Sequence, residues 1–209
     1  MRVLLAILLA TAAPAMKHTG ADTKLAQASL VKAADFGNGW TGKSSPQEGA
    51  TFGCNGFQPN GAGIVETGAA TSPSITYDTT GPFILQKTSV YATAGEAKTY
   101  WQRAVTPGLV TCAVQTLQAV EARGVKVAIT SQGKLPFSTS LPQTSAYRVV
   151  GRLTSANNKV TNYFDVIILG EGRAITVITV SSFKAAPPAA FERALARLVI
   201  TRLAGPGAA

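Results

Sequence analysis

The chain has 209 residues, 46% of them hydrophobic, with a formal net charge of +9 and a single histidine. That length suits one domain with its own core. The Lys and Arg residues are scattered, and no run of them reads as a nucleic-acid stripe, so a nucleic-acid partner is excluded. Outside a bacterial membrane such a charge favours acidic wall polymers or anionic lipid headgroups, with at most peripheral membrane contact. Its plainer use is solubility.

The chain opens MRVLLAILLATAAPAMK. Arg2 is a short positive region, Val3 to Ala12 is a run of small and apolar residues, and Ala13-Pro14-Ala15 places small residues at a cleavage site. This predicts a secretory signal peptide over residues 1–15 and a secreted or envelope-located product. The apolar run is far shorter than the roughly 20 residues of a membrane-spanning helix. Cleavage would remove one charge, Arg2.

Residues 16–22 read as a flexible tail. Thr23–Ala34 reads as a helix that stops at the glycines of DFGNGW. The stretch GNGWTGKS, residues 37–44, fits the phosphate-loop pattern G-x-x-x-x-G-K-[ST]. Such a loop needs a buried strand before it and a helix after it. Here a helix precedes it, and Pro46 and Gly49 oppose a helix after it. The match is therefore read as a turn, with no nucleotide, and Trp40 starts a strand that packs on the core. From Gly42 to Gly63 the chain is rich in Gly, Ser, Pro and Asn, with Cys54 inside.

Strands are predicted at 64–71, 74–77 and 83–91. Thr93-x-x-Glu96 is a capping box that starts a helix. Thr106-Pro107 starts another, which Gly124 stops. Cys112 flanks the apolar stripe of that second helix. Two cysteines in a secreted chain predict a Cys54–Cys112 disulfide, pinning the irregular segment to the helix. Two free buried thiols are the alternative. Neither they nor His18, in the tail, can build an ordinary zinc site.

A short strand, 125–130, and a loop, 134–145, lead to strands at 147–154, 160–169 and 174–180, a meander. Two-residue turns at Asn157-Asn158 and Glu171-Gly172 would pair Val166 with both Val149 and Val177. Tyr147, Val149, Leu153, Phe164, Val166, Ile168, Ile175 and Val177 then form a core face. Asp165, the acid inside an apolar strand, lies on the other face opposite Val150, with Arg148 and Arg152 as diagonal neighbours. These three form either a cross-strand ion pair under a helix or the lining of a ligand cleft. A helix at 188–203 closes the fold, with Phe191, Leu195, Leu198 and Val199 buried and Glu192, Arg197 and Arg202 suiting its dipole. Residues 205–209 read as a disordered tail.

Catalytic chemistry has little to work with. No histidine is placed for a Ser-His-Asp or Cys-His site, and Asp165 has no second acid beside it for glycoside hydrolysis. Trp40, Trp101, Tyr100 and Phe191 read as core.

The order helix, "AADFGNGW", loop cysteine, "TSVYATAGEAKTYWQRAVTPGLVTCAV", "AYRVVGRL", "FDVIILGEGRAITVITV" and Arg-bearing last helix resembles the extracellular sensor domain of PknH-type bacterial receptor kinases. It also resembles the PsbP-like envelope lipoproteins. The resemblance covers roughly residues 23–203. It implies a mostly antiparallel sheet packed with helices, a cleft, and a role in binding or sensing. The kinase domain, a transmembrane helix and a second disulfide of those sensors are missing, and no functional residue carries over.

The expectation is one α+β domain over 23–204, with six to seven strands and about four helices. Its expected role is that of a non-enzymatic, monomeric ligand-binding or interaction domain of the envelope. No cofactor or metal is expected, and the expected partner is an unidentified protein or wall polymer, anionic to suit the positive charge of the chain. The competing readings are a histidine-independent hydrolase acting on wall or lipid substrates and a carrier of an apolar small molecule.

Overall fold

A computed structural model describes residues 13–43, 57–119, 121, 124–156 and 158–204. Residues 1–12, Ser44, Cys54, Asn157 and 205–209 lie outside them. The elements in chain order are β1 (Ala15–Met16), α1 (Gly20–Ser29), a short 3-10 helix (Ala33–Phe36), β2 (Thr41–Lys43), β3 (Val65–Thr71), β4 (Ser74–Thr76) and β5 (Phe83–Tyr91). They continue with α2 (Ala94–Ala104), α3 (Pro107–Gln118), β6 (Lys126–Lys134), β7 (Gln143–Ser155), β8 (Asn158–Glu171), β9 (Ala174–Phe183) and α4 (Ala189–Leu203). One sheet runs in the order β1-β3-β5-β9-β8-β7-β6, with β4 and β2 added beside β5. All its pairings are antiparallel except β1 with β3. The fold is α+β.

Both faces of the sheet are covered. α1 and α4 pack on one face, over Ile84, Val90, Ala146, Ile167, Leu169, Ile178 and Val180. α2 and α3 pack on the other, over Tyr91, Val149, Val166, Ile168, Ile175 and Val177. The expected core face is the one under α2 and α3, with Tyr147, Leu153 and Phe164 half-buried at its margins. The second face explains why β8 is buried continuously from Asp165 to Gly170, without the alternation of a one-sided strand.

The N-terminal stretch differs from its expected form. Residues 15–16 are a strand, not a tail, because Ala15 donates to the Ile64 carbonyl and Lys17 to that of Glu66. α1 starts at Gly20 because Thr19 caps it, its hydroxyl accepting from the Asp22 amide at 3.1 Å. α1 also ends early, at Ser29. Buried Gln86 of β5 replaces the next helical bonds. It accepts from the Val31 amide at 2.8 Å and donates to the Ser29 carbonyl at 3.2 Å and to the Thr88 hydroxyl at 3.2 Å. α1 lies so close to β3 that a Cβ on Gly68 would collide with the Asp22 backbone.

The capping box of α2 forms by half. The Thr93 hydroxyl accepts from the Glu96 amide, but the Glu96 carboxylate takes the Val65 amide at 2.8 Å instead of turning back. α3 begins at Pro107 as expected and ends at Gln118, before Gly124. β6 and β7 are both longer than their apolar patterns, since ladder bonds extend them through polar residues up to Lys134 and down from Gln143.

Both meander hairpins shift by two residues. Ser155 pairs with Asn158 and Glu171 with Ala174, so Tyr147 meets Val166 and Ile168 meets Val177. A two-residue shift leaves every side chain on its face. It does change the partner of Asp165, which now stands opposite Arg148.

Candidate functional site

The register correction builds a charged centre inside the α4 face. Arg148 of β7 forks onto Asp165 of β8, its Nε and Nη2 each donating at 2.6 Å. Asp165 is fully buried. Glu192 of α4, 2% exposed, reaches the same pair, with Oε2 3.8 Å from Arg148 Nη2. Burial, and then a hydrogen bond to Asp165, raise the Glu192 carboxyl to about 8. This shift favours the neutral acid at neutral pH, beside the Asp165 carboxylate. The Arg148 guanidinium also lies 5.9 Å from the Tyr163 ring centre. Arg152 does not join this group: it is exposed and opposite Thr161. The centre is thus an ion pair roofed by α4 and does not line a cleft. Glu192 is not the exposed dipole acid its position near the start of α4 suggests. An acid among Phe191, Leu195 and Val199 at helical spacing was the signal for its burial.

The GNGWTGKS stretch shows no phosphate-loop geometry. Gly37 and Gly39 have φ of +84° and +89°, after a 3-10 helix, and strand β2 follows where a nucleotide loop needs a helix. Trp40 stacks on Phe191 at 5.8 Å and 11° and contacts Phe36 and Tyr77 at 4.6 and 5.5 Å. This aromatic cluster ties the turn to the start of α4. Arg202 ties its far end, donating to Leu30 and to both Asp35 oxygens at 2.7 to 2.9 Å. Burial by itself would raise the Asp35 carboxyl, but the Arg202 hydrogen bonds and the Lys32 amide hold it below the usual range.

An apolar cleft lies on the opposite face of the sheet. It is a cleft of about 280 Å³ floored by Ser89, Tyr91, Ile175 and Val177. Tyr100 of α2 forms one wall. Glu66 and Lys87 bring charge to it, and Ala13, Pro14 and Met16 form the rim. The alternation Lys87, Ser89, Tyr91 on β5 is what aims three polar-tipped side chains into one space. The Tyr91 and Tyr100 rings sit 5.2 Å apart. Burial pushes both phenols up, Tyr100 to about 12, so they are hydrogen-bond donors and not nucleophiles. Met16 is 76% exposed, a large apolar side chain held at the mouth. The sequence reading placed Tyr100 in the core and missed the cleft, because its floor and rim come from residues 13–16, 66, 87–91, 100 and 175–177.

His18 lies outside the cleft, 3.0 Å from Glu66 Oε1. Among the described residues no group of three or more His, Cys, Asp or Glu could hold a metal ion. None of their helices is long and apolar enough to cross a membrane. Cys112 is 6% exposed on α3, and no free cysteine stands among the described residues. Its expected partner Cys54 lies outside them, so the bridge is put forward below as a prediction.

Neither a family model nor a curated protein matches the chain. Among solved structures it is similar to the extracellular domain of PknH from Mycobacterium tuberculosis, at 12% identity and a TM-score of 0.34, over 57% of this chain and 55% of that one. It is also similar to PA94, a protein of unknown function from Pseudomonas aeruginosa, at 9% identity and a TM-score of 0.25, over 68% of this chain and 83% of that one. The chain thus covers about half of the PknH domain. The likeness is a weak similarity of fold, and the resemblance to PsbP-like lipoproteins is not shown.

Proposed function

We propose that the chain is a non-catalytic binding domain of the cell envelope, which takes the apolar part of a small ligand into the cleft between the sheet and α2. The observation that carries this reading is the cleft itself: an apolar floor, two protonated tyrosines and one Lys–Glu pair of charges at its edge. Small-molecule sites have this make-up, a mostly apolar concavity with a few convergent polar groups. The buried acids Asp165 and Glu192 lie on the other face of the sheet, out of reach of anything in the cleft. The acid at the cleft is Glu66, engaged by His18 at 3.0 Å, and the mostly apolar lining favours binding over hydrolysis. Secretion belongs to the same proposal and rests on the N-terminal sequence alone; cleavage after Ala15 would take Ala13 and Pro14 from the rim and leave Met16, Glu66 and the floor in place.

Native mass spectrometry of the protein from its own host would show extra mass that leaves on denaturation. In vitro, an anilinonaphthalene sulfonate dye matches the site, with its rings against Tyr100 and its sulfonate toward Lys87. The dye should saturate one site on the wild type. Val177→Trp, which fills the floor, and Lys87→Met, which keeps the floor and removes the charge, should each weaken it. Dye binding unchanged in both variants, with no host-derived mass, rules the cleft out as a ligand site.

A further inference from the structure

α4 carries Arg193 and Arg197 on one side, four residues apart and so one above the other on the helix surface. Both are exposed, and among the described residues neither guanidinium has a carboxylate or a hydrogen-bond partner. The adjacent acid, Glu192, forms no ion pair with either, though Arg193 is near enough for its charge to act on it. It is turned under the helix onto Asp165 and Arg148. The helix therefore hides its one acid and presents its cations.

Facing them is the loop Ser138-Thr139-Ser140, and the space between loop and helix is a groove of about 390 Å³. The loop is held in place. Phe137 and Leu141 pack on the core on either side of it. Thr139 Oγ1 accepts from the Leu141 amide at 3.0 Å and lies 2.6 Å from Thr144 Oγ1. Beside the pinned Thr139, Ser138 and Ser140 line the groove, both exposed and with no side-chain hydrogen bond among the described residues. Ile200 and Thr201 extend the other wall.

We propose that this groove binds a phosphate group, held between the Arg193 and Arg197 guanidinia and the Ser138 and Ser140 hydroxyls. Guanidinium forks match the geometry of phosphate oxygens, and hydroxyls complete the shell. The groove has room for more than a bare anion, and Ile200 offers an apolar wall, so the group is part of an organic phosphate. Its source is a soluble phosphomonoester or a phospholipid headgroup. The site lies on the α4 side of the sheet, away from the apolar cleft, and stands or falls independently of it.

The test uses the full chain and two probes. Glycerol phosphate is titrated while amide and arginine side-chain NMR shifts are followed. Vesicles of phosphatidylcholine, with and without phosphatidylglycerol, are used for co-sedimentation. Saturable shifts confined to residues 138–140 and 193–201 are expected, with affinity lowered about tenfold by each of Arg193→Gln and Arg197→Gln. Arginine-dependent shifts without vesicle capture assign a soluble phosphomonoester. Capture by the anionic vesicles that the double variant loses assigns a lipid headgroup. The arginines are exposed, so the variants keep the wild-type melting temperature, and a loss of binding cannot be attributed to unfolding. Shifts that never saturate, together with vesicle capture that is absent or identical in the double variant, overturn the proposal.

Discussion

Glu192→Gln isolates the chemistry of the buried centre. In the folded chain Glu192 keeps its proton up to about pH 8, because burial and the hydrogen bond to Asp165 oppose its ionisation. In the unfolded chain it loses that proton near 4.5. Between these values the folded state binds one more proton than the unfolded state. Stability from this group is therefore full below pH 4.5 and drains away as pH rises toward 8. The slope is about 1.4 kcal/mol per pH unit, so the whole window is worth about 5 kcal/mol, of which about 4 falls between pH 5 and 8. The groups facing Glu192 are Asp165 and Arg148 on the sheet and Arg193 on its own helix. The arginines act against the shift but do not cancel it. Gln is neutral at every pH and its amide can donate to Asp165 as the acid does. The assay is thermal unfolding of wild type and variant from pH 5 to 8.5. Near pH 5 the two melt together, and the variant's advantage then grows to about 10 °C by pH 8 for a domain of this size. A melting difference that stays flat across that range would mean Glu192 is ionised in the fold, and the neutral-acid account fails.

Two further outcomes test other joints of the fold. Gln86→Leu keeps the volume but leaves the Val31 amide and Ser29 carbonyl without their partner, which costs about 2–4 kcal/mol and should speed amide exchange at the end of α1 before the rest of the sheet; uniform exchange would show that Gln86 does not hold the helix end. Cys112→Ser should lower the non-reduced melting temperature by about 10 °C, as expected from roughly 4 kcal/mol for closing the loop; an unchanged melt, or an intact mass lacking the loss of two hydrogens, removes the bridge.

Local chemistry made much of this fold readable. Apolar runs in the last third marked three strands, Thr93 and Pro107 marked two helix starts, and the flanks of GNGWTGKS argued against a nucleotide. Each depends on neighbours within a few residues, so each is written in the chain itself. Where alternation met two plausible turn sites, the reading erred by two residues in both hairpins. Asn-Asn has the turn chemistry, yet Ser155 pairs with Asn158 and Ala156 takes φ +47°. Placing a non-glycine residue in the left-handed region costs roughly 1–2 kcal/mol. Burying Asp165 without Arg148 directly opposite would cost far more, so the register follows the buried charge.

Neither candidate site could be located by the same means. The apolar cleft gathers residues from five parts of the chain, and the basic groove joins α4 to a loop that reads as irregular. Sequence by itself determined the fold class, most of the element types and the faces of the strands, because propensity and periodicity act over short separations. Tertiary structure alone decided the register, the N-terminal strand, the early end of α1 and both concavities. Those depend on which distant groups share a low-dielectric interior or a common surface, and no local pattern encodes that choice.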